Sequence, residues 1–435
     1  MRILLINQYA GSTKHGMEYR PYYLAREWVR QGHHVEIVAG TPSHVRSKEP
    51  EPETSGRLSS EVLDGICYWW IRLPAYSGNG PKRAINIFSF VGWLMVYGAR
   101  FARECKPDVV IASSTHPLDT VAARMIARRS GAKLVFELHD LWPLSPIELG
   151  GMSPGHPFIR VMQWAENFTY RHVDHVISML PNALGHMREH GLPEGRFSYV
   201  PNGISLDEWS DAPVALPEEH ARSLKELREQ GAFVVMYAGA HGVANALDAY
   251  VRAASELRDT PARLVLVGQG PEKPALQQLA QEVGVENVLF LPHVPKAAVP
   301  TLLREADLLY IGLKRCSLFR FGISPNKLMD YMMAGKPVIQ AIEAGNNIVV
   351  DAECGIAVIP EDPHAIAEAV RDMAGRSPEE RARLGENGRR YVLANHEYQT
   401  LGRRSLEILS DLTRQRPSPA RSASDSLSDL SGTSA

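Results

Sequence analysis

The stretch that decides the fold of this chain reads FRFGISPNKLMDYMMAGKPVIQ and covers Phe319–Gln340. Its pattern predicts a loop, a short helix, a tight turn and a buried strand, in that order. Ser324 is a residue of the N-cap type, and Pro325 suits the first helical position, where its missing N–H is harmless. Gly335 and Pro337 are typical of residues that end a helix. The stretch therefore predicts one helix-and-strand unit of an α/β protein.

The start of this predicted helix is suited to binding an anion. The free N–H groups of a helix start carry roughly half a positive charge. Asn326 and Lys327 fall in the first turn, and Lys327 adds a full charge. Asp330 follows one turn later and can place a carboxylate near the same ligand. A cation for phosphates beside a carboxylate for hydroxyls is typical of a nucleotide-sugar site, although the spacing also fits an ordinary capped helix.

The segment Phe321–Ile339 resembles the donor-site segment of glycosyltransferase family 4, whose members are retaining enzymes of the GT-B fold. The resemblance extends over nearly the whole chain up to about residue 410. It is nearest to bacterial transferases of O-antigen and capsule assembly, which are often named N-acetylfucosamine (L-fucosamine) transferases. Further matching segments lie at the N-terminus, at His139–Pro143, at Pro201–Ile204 and at Gly268–Pro271.

One position departs from the family pattern. The family has two Glu residues in the donor segment, and here those positions hold Gly322 and Asp330. Asp330 is shorter than Glu but can still hold the ribose, whereas the first acid is absent. The family also commonly has a basic side chain soon after the glycine loop, and this chain has Val243 and Ala244 there.

The composition is that of an ordinary globular protein with room for two domains. The chain has 435 residues, of which 44% are hydrophobic and 22% charged, and a formal net charge of −2. This charge gives no indication of a nucleic-acid partner. The four cysteines are far apart, which favours reduced thiols in a cytoplasmic protein over a disulfide framework or a zinc site. The segment Met1–Gly11 predicts a first strand and not a signal peptide.

Strand and helix patterns alternate through the chain and predict an α/β fold of doubly wound sheets. With the resemblance, this becomes the GT-B fold, in which two Rossmann-like doubly wound domains face each other across a cleft. We expect a mobile loop at Ser43–Asp64. The expected units are an acceptor-side domain at 1–205, a linker at 206–220, a nucleotide-sugar domain at 221–395, a terminal crossover helix at 396–413 and a disordered tail at 414–435.

Polar residues follow several predicted strands, where a ligand crevice is expected. His139 and Asp140 are adjacent and so point in different directions, and a histidine at a strand end is often only hydrogen-bonded. The resemblance places their loop on the acceptor side and makes His139, Asp140 and Lys327 the candidate catalytic residues. It implies donor-binding roles for Gly16, Gly239, His241, Gly242, Gly268, His293, Arg320, Ser324, Asn326, Lys327 and Asp330.

The most apolar helix-length run lies at Arg83–Arg103. It contains Asn86 and Gly92 and is bracketed by basic residues. The pattern fits a buried core helix equally well as a helix with one face on lipid, so peripheral membrane contact through 84–103 at the inner membrane face is one of two interpretations.

The sequence predicts a glycosyltransferase that moves a sugar from a UDP-sugar to a cell-surface polysaccharide or a polyprenyl-diphosphate-linked acceptor. An N-acetylated hexosamine or deoxyhexosamine is the expected sugar, and retention is implied by the resemblance alone. Lys327 and the helix start would stabilise the departing diphosphate without a metal or other cofactor. Two alternatives stay open. One is a catalytically silent scaffold, which would explain Gly322, and the other is a UDP-sugar epimerase.

Overall fold

The computed structural model describes residues 1–414 apart from 17, 44–45, 47, 51–55, 77, 79 and 210–213. The tail predicted to be disordered lies outside the described residues from position 415 onward. The same holds for parts of the loop predicted at Ser43–Asp64 and for four residues of the predicted linker.

The first domain is built on one large sheet. Its strands are β1 (Arg2–Ile6), β2 (His34–Thr41), β3 (Leu58–Leu63), β4 (Ile66–Arg72), β5 (Val109–Ala112), β6 (Lys133–Leu138), β7 (His175–Ser178) and β8 (Phe197–Tyr199). They lie in the order β3-β4-β2-β1-β5-β6-β7-β8, and all pairs are parallel except β3 with β4. The two central strands, β1 and β5, are almost entirely apolar, as expected for parallel strands that helices cover on both faces.

The helices of the first domain cover this sheet. They are α1 (Arg20–Arg30), α2 (Pro81–Cys105), α3 (Asp119–Ser130), α4 (Leu144–Glu148), α5 (Pro157–His172) and α6 (Leu184–Glu189). The loops that follow β1, β5 and β6 leave the same edge of the sheet, because parallel strands end together. This edge carries the polar segments that the sequence analysis selected.

The second domain repeats the pattern on a fully parallel sheet. Its strands are β9 (Phe233–Ala238), β10 (Ala262–Val267), β11 (Val288–Leu291), β12 (Leu308–Gly312), β13 (Val338–Ala341) and β14 (Gly355–Ala357), in the order β11-β10-β9-β12-β13-β14. Its helices are α7 (Glu218–Glu229), α8 (Leu247–Ala253), α9 (Lys273–Val283), α10 (Val299–Arg304), α11 (Asn326–Met333), α12 (Ile348–Asp351), α13 (Pro363–Gly375) and α14 (Pro378–Asn395). The predicted α/β class with two doubly wound sheets is confirmed.

The chain passes between the domains twice, and the two passages are hydrogen-bonded to each other. The N–H of Ile204 donates to the carbonyl of His396 at 2.8 Å, and the N–H of Tyr398 donates to the carbonyl of Ile204 at 3.0 Å. The last helix, α15 (Tyr398–Arg414), packs on α1, where the indole N–H of Trp28 donates to Ser405 Oγ at 2.9 Å. The last helix therefore fastens the end of the described chain to the first domain.

Two stretches that look like loops in the sequence contain regular structure. β3 pairs with β4 through the tight turn Asp64–Gly65, whose φ values of 50° and 78° suit a two-residue hairpin. The expectation of a mobile loop over the whole of Ser43–Asp64 is therefore wrong for 58–63. In the predicted linker, Trp209 is 7% exposed and His220 in α7 is 1% exposed, so both ends of that segment pack into the second domain.

Within the described residues, one helix, α2, is long and apolar enough to cross a membrane by length and composition, which alone is weak evidence. It packs along α3, and its buried Asn86 accepts a hydrogen bond from Gln8 Nε2 at 2.5 Å. The opposite face exposes Ile85, Phe88, Met95 and Val96 to solvent. α2 is therefore an integral helix of the first domain that leaves an apolar stripe uncovered.

Candidate functional site

A pocket of about 340 Å³ lies where β9, β10 and β11 end and α11 begins. It brings together residues that are far apart in sequence but follow parallel strands on one edge of the second sheet. Five of the predicted donor-binding residues line it, namely Gly239, Gly268, His293, Lys327 and Asp330. Apolar side chains form much of the remaining lining, among them Val294, Val299, Leu302 and Leu303.

The loops after β9 and β10 approach each other closely in the pocket wall. A Cβ atom at Gly268 would lie 1.9 Å from the carbonyl oxygen of Gly239, so no larger residue fits there. Lys273 holds the neighbouring loop ends, because its Nζ donates to the carbonyls of Gly268 at 3.1 Å and Leu291 at 3.0 Å. The wall of the pocket is thus fixed by backbone contacts and by a lysine that the sequence analysis did not select.

Lys327 is a half-buried cation with neutral partners. Its Nζ donates to Tyr237 Oη at 2.9 Å and to Asn245 Oδ1 at 2.8 Å, and it lies 3.3 Å from where a Cβ of Gly239 would be. Across the described chain it forms no ion pair with a carboxylate. Removal of the ammonium group from water lowers the pKa of Lys327 to about 8. A positive charge held without a counter-charge beside a pocket favours an anionic ligand.

Asp330 lies one helical turn after Lys327 and also faces the pocket. Burial raises the pKa of Asp330 to about 7, while the charge of Lys296 acts in the opposite direction. Near neutral pH this carboxyl can therefore accept or donate a hydrogen bond, depending on its protonation. The pocket combines a cation, a titrating carboxyl and apolar walls.

Ser324 does not cap α11. The helix begins at Asn326, and Pro325 takes the N-cap position with no side-chain cap, so the prediction of a serine cap is wrong by one residue. Ser324 Oγ instead accepts a hydrogen bond from the N–H of Asn202 at 2.8 Å, and Asn202 Nδ2 donates to the carbonyl of Ser324 at 2.8 Å. Ser324 therefore connects the second domain to the passage between the domains.

Gly322 has a backbone conformation that excludes an acid. Its φ of 96° and ψ of 172° fall in a region that is essentially restricted to glycine. A Cβ atom there would lie 2.5 Å from Cδ of Pro181 in the first domain. The family's first Glu could not replace Gly322 without moving the domain contact, which gives a physical reason for its absence.

The remaining predicted donor-binding residues do not line the pocket. His241 is fully buried behind the wall, neither of its ring nitrogens has a hydrogen-bond partner among the described residues, and burial lowers its pKa to about 4. Arg320 pairs with Glu148 of the first domain at 3.2 Å. Gly242 precedes the 3₁₀ turn Val243–Asn245, and Asn326 is exposed at the start of α11. Gly16 lies in the first domain, where its backbone forms isolated antiparallel β-bridges with Ser12 and Arg46.

His139 and Asp140 follow β6 in the first domain and have separate partners. His139 Nε2 lies 2.9 Å from Ser113 Oγ and 3.1 Å from Glu137 Oε2. Asp140 accepts hydrogen bonds from Ser145 Oγ and from the indole of Trp142, and burial raises the pKa of Asp140. The carboxylate of Asp140 is thus hydrogen-bonded within the turn that starts α4. Of the two residues, only His139 belongs to a wider polar network.

That network contains an ion pair that the sequence analysis missed. Arg20 and Glu137 are 1% and 3% exposed, and Arg20 Nε lies 3.0 Å from Glu137 Oε1. Burial alone would raise the pKa of Glu137, but the charge of Arg20 and the bond to His139 outweigh it and hold the pKa below its usual range. Arg20 also donates to the carbonyls of Val200 and Pro201, which lead to the second domain.

No spacing in the sequence could have revealed this pair, because its members are on α1 and β6 and meet only in the folded domain. The same holds for Tyr237 and Asn245, which are ordinary residues in sequence and become the partners of Lys327 through folding.

Two family models match the chain. A glycosyl transferase 4-like domain matches residues 15–203, and a glycosyl transferases group 1 domain matches residues 232–375. Together they span most of the chain, one on each sheet. Gly16, His139 and Asp140 fall in the first match, and all predicted donor-binding residues from Gly239 to Asp330 fall in the second.

Relatives and solved structures agree with these matches. WcaI of Escherichia coli, named for a glycosyl transfer in colanic acid biosynthesis, is 26% identical over 79% of this chain and 85% of its own length. A GDP-mannose-dependent phosphatidylinositol monomannoside mannosyltransferase of Mycolicibacterium smegmatis is 28% identical over 66% of this chain and 72% of its own. The crystal structure of Anabaena HepE with UDP and glucose has a TM-score of 0.65 at 16% identity, with 94% of this chain and 99% of that one covered.

Proposed function

The chain belongs to the glycosyltransferases, as a 4-like domain followed by a group 1 domain on the GT-B fold, and from this we propose that it moves a sugar from UDP to a polysaccharide or polyprenyl-diphosphate-linked acceptor. The sugar we propose is an N-acetylated hexosamine or deoxyhexosamine. One observation carries the proposal, namely the half-buried Lys327 beside the pocket, which forms no ion pair with a carboxylate among the described residues.

Lys327 is suited to stabilising the leaving diphosphate. An ammonium group has three N–H donors, and Tyr237 and Asn245 use two of them. The third can donate to a phosphate oxygen as the glycosidic C–O bond breaks, when the bonding electrons pass to that phosphate and the sugar ring gains positive charge. In this proposal the cation takes the role that a metal ion has in other transferases, so the transfer itself needs no cofactor.

Asp330 is the proposed partner of the ribose hydroxyls. A carboxylate that accepts a hydrogen bond from a hydroxyl contributes about 1.5–3 kcal/mol net. The apolar residues Val299, Leu302 and Leu303 offer a surface on which a base can lie, and the backbone around His293 offers hydrogen-bonding groups to its edge. The name of one relative specifies GDP-mannose, and one similar structure holds UDP. Guanine is therefore the base that competes with the proposed uracil.

The acceptor is proposed to bind on the first domain, where the loops with Ser113 and His139 leave the sheet. Retention of configuration is part of the proposal and is supported by the family alone. Contacts such as Asn202–Ser324 and Glu148–Arg320 hold the two domains together, and closure of this kind limits hydrolysis of the donor by water.

A titration of UDP and GDP across pH tests the donor site. Asp330 accepts a ribose hydroxyl as a carboxylate, so UDP affinity should fall as the pH drops below the pKa of about 7. Lys327 binds phosphate as an ammonium, so the affinity should also fall as the pH rises above the pKa of about 8. We therefore expect a maximum of UDP affinity between these two values, measured by isothermal titration calorimetry.

The matched variant is Asp330→Asn, which should lose the part of the acid-side decrease that Asp330 causes and keep the decrease on the basic side. This comparison also removes the contribution of the terminal phosphate of UDP, which titrates near a pH of about 6 in both proteins. Tighter binding of GDP than of UDP would show that the donor base is guanine and not uracil. Failure of both nucleotides to bind at any pH would contradict the proposed donor site.

We also propose that the exposed stripe of α2 rests on the cytoplasmic surface of the inner membrane. Phe88 and Val96 are 44% and 65% exposed on the same helix, and Lys82 and Arg100 flank the stripe. Apolar residues bordered by cations are suited to an anionic lipid surface. This placement would bring a lipid-linked acceptor to the first domain.

Flotation with vesicles that contain anionic lipid tests this contact. Phe88→Glu with Val96→Glu should move the protein from the vesicle fraction to the soluble fraction, because both changes put a charge into the lipid contact. Val62→Glu is the control, since Val62 is 73% exposed on β3 of the same domain and lies outside the stripe. A wild-type protein that stays soluble with such vesicles would exclude the membrane contact.

A further inference from the structure

A second group of ligand-type side chains lies in the first domain, and it shares no residue with the donor pocket. Glu166 is on α5, His186 is on α6, and His190 follows one turn after His186. One carboxylate oxygen and one ring nitrogen from each histidine lie within 4.8 Å of one another. His186 Nε2 is 2.7 Å from Glu166 Oε1, and the two imidazole rings are 4.4 Å apart.

Neighbouring side chains of the first domain hold this group of ligand-type residues in place. Glu166 is 1% exposed, and its other oxygen accepts a hydrogen bond from Gln163 Nε2 at 2.7 Å, which fixes the carboxylate. His190 Nδ1 lies 2.9 Å from Asn167 Oδ1. Outer partners of this kind orient metal ligands in proteins. Histidines four residues apart lie on one face of a helix, so both rings can turn to the same point.

We propose that Glu166, His186 and His190 bind a divalent transition-metal ion of the zinc type. Two imidazoles and one carboxylate suit zinc, whereas magnesium and calcium prefer sets of oxygen ligands. In a tetrahedral site, ligand atoms at about 2.1 Å from one ion lie about 3.4 Å from each other, so the separations between the three ligand atoms have to change by up to roughly 1.4 Å when the ion binds. A carboxylate and two neutral imidazoles offset one of the two ionic charges, and a fourth position stays open to water.

The position of the site assigns it a structural role. The ring of His186 lies 5.5 Å from that of Phe321 in the second domain. α6 also follows the segment Pro181–Asn182, in which Pro181 meets Gly322 and Asn182 Nδ2 donates to the carbonyl of Gly345 at 2.8 Å. An ion that joins α6 to α5 would thus fix the part of the first domain that contacts the second. The metal-free transfer proposed for the donor pocket is independent of this site.

Titration of the metal-free full chain with zinc alone tests the proposal. We expect zinc to raise the thermal unfolding temperature, and cobalt(II) in its place to give the visible absorption of a tetrahedral site. His186→Ala and His190→Ala should each raise the Kd for zinc by more than about 100-fold, because loss of an outer partner already costs about 10–100-fold. Gln163→Leu, which removes such an outer partner, should have that smaller effect.

His172→Ala is the matched control, since His172 is an exposed histidine on α5 that bonds the carbonyl of Phe168 and lies outside the group. It should bind zinc as the wild type does. Circular dichroism of each variant without metal shows that loss of binding does not reflect unfolding, and His190→Asn repeats the test with a smaller change in polarity. The proposal is overturned if zinc leaves the wild type unchanged, or if the control loses binding to the same extent as His186→Ala and His190→Ala.

Discussion

Lys327→Met is expected to lower kcat/KM for sugar transfer by about 10³–10⁵-fold. Methionine keeps most of the side-chain volume but removes the one half-buried cation that contacts the β9 loop in the described pocket wall. Removal of a single donor to a developing negative charge typically costs about 10²–10³ in kcat. Loss of a charged hydrogen bond to the bound donor adds about 1.5–3 kcal/mol, or roughly a further tenfold to hundredfold in affinity. Initial rates over a range of donor concentrations separate the two effects.

Lys225→Met is the control for this prediction. Lys225 is 76% exposed on α7, where it pairs with Glu229, and lies outside the pocket. Its loss should leave kcat/KM within about twofold, because an exposed ion pair contributes roughly 0–1 kcal/mol to stability. If Lys327→Met raises KM without lowering kcat, the lysine serves donor binding alone and the leaving-group role is wrong.

Arg20→Met is expected to lower the free energy of unfolding by about 3–5 kcal/mol, which is the usual cost of removing one partner from a buried ion pair. The change leaves Glu137 in the core without its counter-charge and leaves the carbonyls of Val200 and Pro201 without a donor. Urea unfolding followed by tryptophan fluorescence measures the effect on the first domain.

Two further variants make this test specific. Arg20→Met combined with Glu137→Gln should be more stable than Arg20→Met alone, because glutamine carries no charge and still bonds Ser113. Arg100→Met should stay within about 0.5 kcal/mol of the wild type, because Arg100 and Glu104 pair on the surface at 44% and 38% exposure. Equal stability of the single and double Arg20 variants would show that the buried charge is not the cause.

Parts of the candidate site could be predicted from sequence because local rules decide them. The order of strands and helices follows from apolar runs and from the glycine, proline and polar residues that separate them. Residues that follow parallel strands come together at one sheet edge. Local reasoning selected Lys327 and Asp330, the resemblance added Gly239, Gly268 and His293, and the structure collects all five in one pocket. Local reasoning failed at Ser324, where the cap rule ignores a hydrogen bond from Asn202 that is 122 residues away.

The resemblance had a similar limit. It located the donor segment but did not explain why glycine stands at position 322, because a family pattern does not show which backbone conformation a residue adopts. The contact with Pro181 and the positive φ of Gly322 explain why glycine is required there. Arg320 was selected as a cation near the donor segment, yet folding pairs it with Glu148 across the domain boundary.

The sequence by itself determined the fold class, the two-sheet organisation and the membership of Lys327 and Asp330 in a helix that starts beside a pocket. These features depend on residues close together in the chain, whose conformations local hydrogen bonding and apolar periodicity restrict. Only the tertiary structure decided which charges are left unpaired, which are neutralised and which histidines meet a carboxylate. Lys327, Arg20 and His186 are a lysine, an arginine and a histidine of ordinary appearance in the sequence. Their roles come from neighbours that are 82–90, 117 and 20 residues away, and from the cost of removing charge from water at those places.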